Sequence, residues 1–535
     1  MPNAYDVIVV GGGHNGLVAA GYLARAGASV LVLEQRPTAG GLAVTEELYP
    51  GFWVDTVLHS ASTLRPGIIR DLFLKMHAFA FAPAGTQLFT PLPDGRQLTL
   101  VANPAGNLDT IRTFSANDAT RYPDYCDTIA RYATFIEAAL SRIPPNLSQL
   151  GSGDLFTWLG LGKALPNLGP GLGIGEIYGL LRILPMSLVE WFDEWFEHGL
   201  VRAALGAPGV LAIQQGPRSG GTAFGLLYQL MGQPTTAGRP QPGIVRGGIG
   251  QLTAALVAAA RQFGAEIRTN TPVAHLRLAN GQANGVVLAN GDELAARAVL
   301  STTNPRHTFT QLVDPFELDP SFNRAVSNIK FRGAVAKVNL ALDTLPQFAA
   351  LPAGETTPLQ GRIQIAPGLM NIERAYDAAK YGQFSTRPYL EIVIPTLHAP
   401  HLAPAGKHTM SILVQYAPYN LRNTTWEQQR EPLGDTVINT LAEYIPNLRD
   451  IILHRQVLTP LDLEQQYGLA EGSLYHGEMT LDQLLFMRPV PGWAQYRTPI
   501  PGLYFGGSGA HPGGGITGEP GRMAARELLH DLKQG

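Results

Sequence analysis

The sequence predicts an α/β fold in which a parallel, doubly wound sheet carries a nucleotide-binding domain and later pieces of chain build a second domain. Three observations predict it. The apolar run Tyr5–Val10 feeds a glycine turn, an Ala-rich stretch from Leu17 to Gly27, and a second apolar run ending in Glu34. Another strand–glycine loop–helix pattern begins at Gly502, near the far end of the chain. Between them lies more chain than a single core buries, since the protein has 535 residues, so two interleaved domains are expected.

The first element explains itself residue by residue. Gly11, Gly13 and Gly16 satisfy the G-x-G-x-x-G spacing, and Glu34 lies 21 residues beyond Gly13. Gly11 permits the tight turn, Gly13 lets backbone approach a pyrophosphate, and Gly16 lets helix and strand pack closely. The N–H groups of the following helix start, at His14 and Asn15, carry a positive dipole end toward phosphates. The Glu34 carboxylate suits a ribose diol. A bound ADP moiety is therefore expected. Gln35 and Arg36 follow the acid, and Gly40-Gly41-Leu42-Ala43 comes next. A paired glycine there is typical of flavoproteins, whose chain continues along the cofactor; an ordinary Pro/Gly loop is the alternative.

Residues 240–310 return to the same domain. They read as a helix Gln251–Phe263, a strand Glu266–Arg268, a hairpin around Asn280-Gly281 with strand Gly285–Leu288, and a strand Ala295–Ser301. The last segment reads as a strand at Leu503, a loop from Gly506 through Gly507, Ser508 and Gly515, and Ile516-Thr517 opening a helix over Pro520–Leu532. Such a helix start would set N–H groups and a positive dipole end against the N1–C2=O edge of a flavin. Two cofactor-contacting segments at opposite ends of one chain predict FAD. The expected architecture is a bipartite Rossmann-type FAD-binding domain (1–75, 240–310 and 496–535). Residues 76–239 and 311–495 are expected to form an inserted α+β substrate domain with a mixed sheet and a helical cap.

Composition narrows the chemistry. A net charge of -3 gives no basic footprint for nucleic acid. Charged residues at 15% against 45% hydrophobic make an apolar chain. No apolar run reaches transmembrane length, and no charged-then-apolar leader precedes the first strand. A cytoplasmic location is expected, with peripheral membrane contact left open. Cys126 is the only cysteine, which excludes a redox disulfide. The stretch Arg246–Leu252 lacks a third glycine in register and a following acid, so no NAD(P) site is expected. Leu155–Val189 carries only Lys163, Glu176 and Arg182 as charges. It reads either as buried cap with glycine turns or as a membrane-facing or tunnel-lining surface. His398 and His401 form a weak ligand pair, and no metal is expected.

Taken together, these stretches resemble the phytoene-desaturase-like branch of the FAD-dependent amine oxidase superfamily. Within it the chain is most similar to the pyridine nucleotide-disulphide oxidoreductase domain proteins and the desaturase-like carotene ketolases. The similarity runs through Val9–Leu17, Leu64-Arg65-Pro66, Trp191–Glu197, Gly247–Leu252, Tyr416–Tyr419, Leu458–Glu464, Arg488–Pro491 and Gly509–Gly515. It implies that Val273 clamps the adenine end through its backbone, a plain edge strand being the alternative. It also implies that the loop after the paired glycine reaches the isoalloxazine, which nominates Asp55 and His59. His476, Glu478 and His511 are further candidates, each with a structural hydrogen-bonding role as the alternative. His59 and His476 are the favoured catalytic pair. The expected reaction is hydride removal from a hydrophobic, isoprenoid- or polyene-like substrate, with reoxidation by oxygen or a quinone. An amine or small-acid oxidase, or a flavin-containing interaction protein with little turnover, are the other readings. Oligomeric state is not legible.

Overall fold

Tyr5–Val10 forms the central strand of a parallel sheet because its run of apolar side chains is buried on both faces, the pattern of a strand covered by helices on either side. The computed structural model describes residues 5–83, 85–145, 174–232 and 237–534. Along the parallel part of the sheet the strands run Glu266–Arg268, Val30–Leu33, Tyr5–Val10, Glu293–Ser301 and Leu503–Phe505. Val10 is in register with Leu33 on one side and Ser301 on the other, so three strand ends finish level, beneath the glycine turn. Glu293–Ser301 also starts an antiparallel meander with Gln282–Leu288 and Val273–Ala279. The strand Gln282–Leu288 starts three residues before the expected Gly285, directly after the turn at Asn280 and Gly281.

Helices His14–Arg25, Gly250–Gln262 and Glu519–Gln534 pack together beside this sheet. Two glycines set how closely. A Cβ on Gly16 would stand 2.0 Å from the Gly11 carbonyl oxygen, and one on Gly521 would stand 2.0 Å from that of Asn15. The C-terminal helix runs Glu519–Gln534 against the expected Pro520–Leu532, and Ile516 and Thr517, expected to open it, lie before its first turn. Gly518 adopts a φ of +68° that breaks the helical path, and the Thr517 hydroxyl accepts from Glu519 N at 3.2 Å.

The second sheet has strands in the order Ile452–Leu458, Val335–Leu342, His408–Gln415, Tyr389–Val393, Arg362–Ile365, Thr86–Pro91 and Gln97–Val101. Its central strands are buried throughout, yet their two faces differ in kind. Ala336, Val338, Leu340, Met410, Ile412, Leu390, Ile392 and Ile363 face a dry core closed by the helix Trp426–Ala442. The pairings Lys337↔Leu413, Leu413↔Glu391 and Glu391↔Gln364 put the opposite set on one shared face. By the two-residue period of a strand, Asn339, Ser411, Gln415, Tyr389 and Arg362 share that face. This polar floor is buried because other elements cover it.

Those covering elements include the cap helices Ala116–Leu140, Ile174–Ile183, Leu188–Asp193, Gly199–Gly206 and Thr222–Gln229, which share one core. Of the low-charge stretch Leu155–Val189, residues 155–173 lie outside the described residues. In the remainder, Leu180 and Ile183 are buried, whereas Tyr178 and Leu181 are 69% and 56% exposed. Among the described residues no helix is long and apolar enough to cross a membrane.

Candidate active site

At the end of the first strand the chain turns through Gly11–Gly13 and starts its helix at His14, leaving the first N–H groups without intrahelical acceptors. One cleft is lined by Gly11, Gly13, His14, Asn15, Gly16, Glu34, Gln35, Arg36, Gly41, Leu42, Val273 and Ser508. Glu34 is buried and oriented: one carboxylate oxygen accepts from Gly12 N and the other from Arg36 N, each at 2.9 Å. The Arg36 guanidinium lies 4.4 Å over the Tyr467 ring and pairs with Glu46. Val273 opens an edge strand and borders the cleft as well, so the two readings of that residue are compatible.

The residues fit FAD on grounds the fold supplies. Gly13 has an ordinary φ of -69°, and a Cβ built there would come no nearer than 3.9 Å to its closest neighbour, Gly41 Cα. The protein itself therefore leaves room at this wall of the cleft. Asn15 Oδ1 and His476 Nδ1 are buried on cleft residues and have no hydrogen-bond partner among the described residues. Helix N–H groups, an oriented acid and two unmatched polar atoms form a donor and acceptor set suited to a dinucleotide.

The remaining sequence candidates stand behind that surface or beyond its edge. Gly40 N donates to Gly12 O at 2.8 Å, and the Ala43 carbonyl accepts from Thr253 Oγ1, so both brace the wall. Gly507 packs against the carbonyls of Thr302 and Thr303. Ile516 is core, beside Leu17 and Val18. The Gly515 carbonyl receives His14 Nε2 at 3.1 Å, and the Thr517 carbonyl receives Arg65 N at 3.3 Å. These contacts tie the C-terminal loop to the first helix and to the segment after His59.

The two favoured histidines lie in different places. His476 borders the dinucleotide cleft, and burial pushes its pKa down to about 3, so it is neutral there. His59 is buried against the polar floor. Its Nε2 lies 3.3 Å from Glu391 Oε1, and its Nδ1 lies 3.0 Å from Lys337 Nζ and 3.2 Å from Ser411 Oγ. Ser411 donates to the Asp55 carbonyl, so Lys337 supplies the proton at Nδ1 and His59 donates from Nε2 to Glu391. Burial, then the charge of Lys337, lowers the His59 pKa to about 4. Asp55 accepts from Thr45 Oγ1 and Ile249 N, and burial raises it to about 6. His511 caps the cap helix Ala116–Leu140 by meeting the Leu140 carbonyl at 2.9 Å, the structural role. Glu478 accepts from Gln214 N, and burial raises its carboxyl to about 8.

Lys337, Glu391, Arg362 and Arg239 were missed in the sequence. Lys337 is 1% exposed, and burial lowers its pKa to about 7. Burial opposes the charge of Glu391, but Arg362 and His59 outweigh it and hold the carboxyl at about 2. Arg362 reaches Glu391 at 3.3 Å and also donates to Ser60 and Ser62. A signal was present: Lys337 with Asn339, Tyr389 with Glu391 and Arg362 with Gln364 each stand two apart in otherwise apolar strands. Among the described residues no group of three or more His, Cys, Asp or Glu is arranged to hold a metal. His398 instead meets the Gln360 carbonyl.

Comparison with known proteins accords with this geometry. Residues 192–529 match the family described as flavin containing amine oxidoreductase, and residues 9–73 match an NAD(P)-binding Rossmann-like domain. The chain is 37% identical to pyridine nucleotide-disulfide oxidoreductase domain-containing protein 2 of Rattus norvegicus, over 99% of this chain and 94% of that one. It is 26% identical to one subunit of the limonene dehydrogenase of Castellaniella defragrans, over 98% and 95%. It is more distantly similar, at 24%, to the lycopene-forming phytoene desaturase of Pantoea ananas, over 98% and 99%. An oxidoreductase from Methanosarcina mazei has the same fold, with a TM-score of 0.60 over 98% of this chain and 99% of that one at 18% identity. With FAD as its cofactor, the chain belongs to the flavin containing amine oxidoreductase family.

Proposed function

We propose that this protein is an oxidase or desaturase acting on a hydrophobic substrate of isoprenoid or polyene type. The observation that carries the reading is the buried cluster of Lys337, His59, Glu391 and Arg362, which lies on the sheet face beneath the segment following the paired glycine. FAD, when bound, would supply the hydride acceptor for a substrate C–H bond, with oxygen or a quinone as the final oxidant. The residues do the rest. Lys337, held near neutrality by burial, can take or release a proton at Nζ, and His59 fixes it through Nδ1. Glu391 orients His59, and Arg362 anchors Glu391. Neutral His476 holds its place on the cofactor side.

Two relatives are named for limonene and phytoene, both apolar, which supports the substrate class. Contact with a membrane through the cap belongs to the same reading, and exposed Tyr178 and Leu181 support it. The amine alternative is disfavoured by charge. Among the described residues Arg239 and Arg362, joined by Lys337 when it is protonated, face Glu391 and Asp55 in this buried region, so no carboxylate is left in excess to hold an ammonium substrate. The test is anaerobic bleaching of the bound flavin by a panel of carotenoids, terpenes, quinols and amines. Bleaching by a polyene or terpene supports the proposal; bleaching by amines alone overturns it.

A further inference from the structure

Arg239 is fully buried, yet its Nε and Nη1 have no hydrogen-bond partner among the described residues. The segment that carries it is firmly seated. Tyr125 donates to the Gly238 carbonyl at 3.1 Å, and Arg362 Nη2 donates to the carbonyls of Gln241 and Pro242, both at 3.1 Å. A Cβ on Gly243 would stand 2.3 Å from Ser62 N, so the strip packs backbone to backbone against the segment carrying Ser62. Arg239 is thus held within electrostatic reach of Arg362, Glu391 and Tyr389.

Neither nearby carboxylate supplies a hydrogen bond to Nε or Nη1 of Arg239. Glu391 gives one oxygen to His59 and the other to Arg362; Asp55 accepts from Thr45 and Ile249 through Oδ1, has Lys337 as its charged neighbour, and leaves Oδ2 without a partner among the described residues. Tyr389 lies on the polar floor, 2% exposed, and its hydroxyl also has no partner among the described residues. A guanidinium with two unmatched nitrogens and an unmatched phenol, both desolvated, are costly in an empty fold and favourable around an anion. A hydrocarbon would leave both unsatisfied.

We propose that Arg239 and Tyr389 form a subsite for a carboxylate, so that the substrate is an apolar chain ending in an acid. This rests on the reading above for the apolar body and deepens it by naming the polar end. Arg239 supplies charge-assisted N–H donors and Tyr389 an O–H donor to the acid.

The test uses the FAD-loaded protein with three ten-carbon probes, decanoate, decanol and decylamine, read by calorimetry and by perturbation of the flavin spectrum at neutral pH. Decanoate is expected to bind about tenfold or more tighter than decanol, and decylamine weaker than either. Arg239→Gln should erase the preference with FAD content unchanged, Arg239→Lys should keep part of it, and Tyr389→Phe should reduce it about threefold. Equal affinity for decanoate and decanol in the wild type, or an undiminished preference in Arg239→Gln, overturns the proposal. If Arg239→Gln does not hold FAD, an unchanged preference in both Arg239→Lys and Tyr389→Phe overturns it instead. Binding is read without turnover. Decanoate selectivity without flavin reduction by any polyene would therefore sink the proposed reaction and leave the subsite standing.

Discussion

The dinucleotide cleft and the polar floor of the second sheet are built by opposite means. The cleft is mostly backbone: a turn, a helix start, a paired glycine and one acid, most of them within the first 42 residues of the chain. The floor is made of side chains, and its residues come from strands separated by up to 78 positions, from Lys337 to Gln415. Backbone recognition demands particular residues at fixed spacing, because only glycine lets main chain approach main chain. Side-chain recognition demands only that the right groups converge, and convergence is a property of the fold.

The largest expected effect breaks the cleft, and it separates two glycines. Gly16→Val should abolish folded, soluble protein, since its Cβ would overlap the Gly11 carbonyl at 2.0 Å. Gly13→Val should leave a folded apoprotein that takes up no FAD, because that position is crowded by ligand and not by protein. Circular dichroism and flavin content together decide this; a yellow Gly13→Val protein would refute the placement of the pyrophosphate.

Next in size is a change on the floor. Lys337→Met should keep full FAD content and slow anaerobic flavin reduction by about 10²–10⁴, the usual range for a proton-handling group. Stopped-flow reduction by the substrate found in the panel measures it. An unaltered rate would reduce Lys337 to a packing residue.

A smaller effect concerns Glu478, which accepts from the backbone of Gln214. Burial raises its carboxyl from the ordinary 4.5 to about 8, so the folded protein keeps a proton that the unfolded chain releases. The stability this proton brings is complete below about pH 4.5 and is lost as pH rises toward about 8. Glu478→Gln keeps a neutral side chain at every pH. Its melting temperature should therefore rise relative to wild type across that window, by an amount on the order of 2–4 kcal/mol of stability. Parallel melting curves for the two proteins would show that the carboxyl is not held protonated.

The smallest effects sharpen the comparison most, because they cross. His476→Asn should weaken FAD retention about tenfold, the worth of one buried hydrogen bond, and leave the reduction rate of loaded enzyme nearly intact. His59→Asn should do the reverse. If both changes moved the same quantity, cleft and floor would be one site and not two.

How much of this was legible follows the same division. Glu34, Gly13 and Gly41 were readable because each is forced locally, by a turn or by a ribose acid one strand away. The last helix was read within a residue of its start, at Pro520 against Glu519, but Ile516 and Thr517 stand outside it, since Gly518 breaks the path and Thr517 caps the helix beyond it. His59 and His476 were paired by sequence, yet one faces Lys337 and the other the dinucleotide residues. The two-apart polar residues of the second sheet were visible but ambiguous. Such alternation ordinarily marks a strand with one face in water.

The sequence by itself determined the parallel sheet, the glycine turn and the identity of the cofactor, because spacing along the chain dictates backbone geometry over a few residues. Only the tertiary structure decided that the polar face of the second sheet is covered and not wet. That covering desolvates Lys337, Arg239 and Glu391 and leaves their charges to be settled among themselves. The reason is physical: the energy of a charged group depends on what surrounds it in three dimensions, and no local pattern records that.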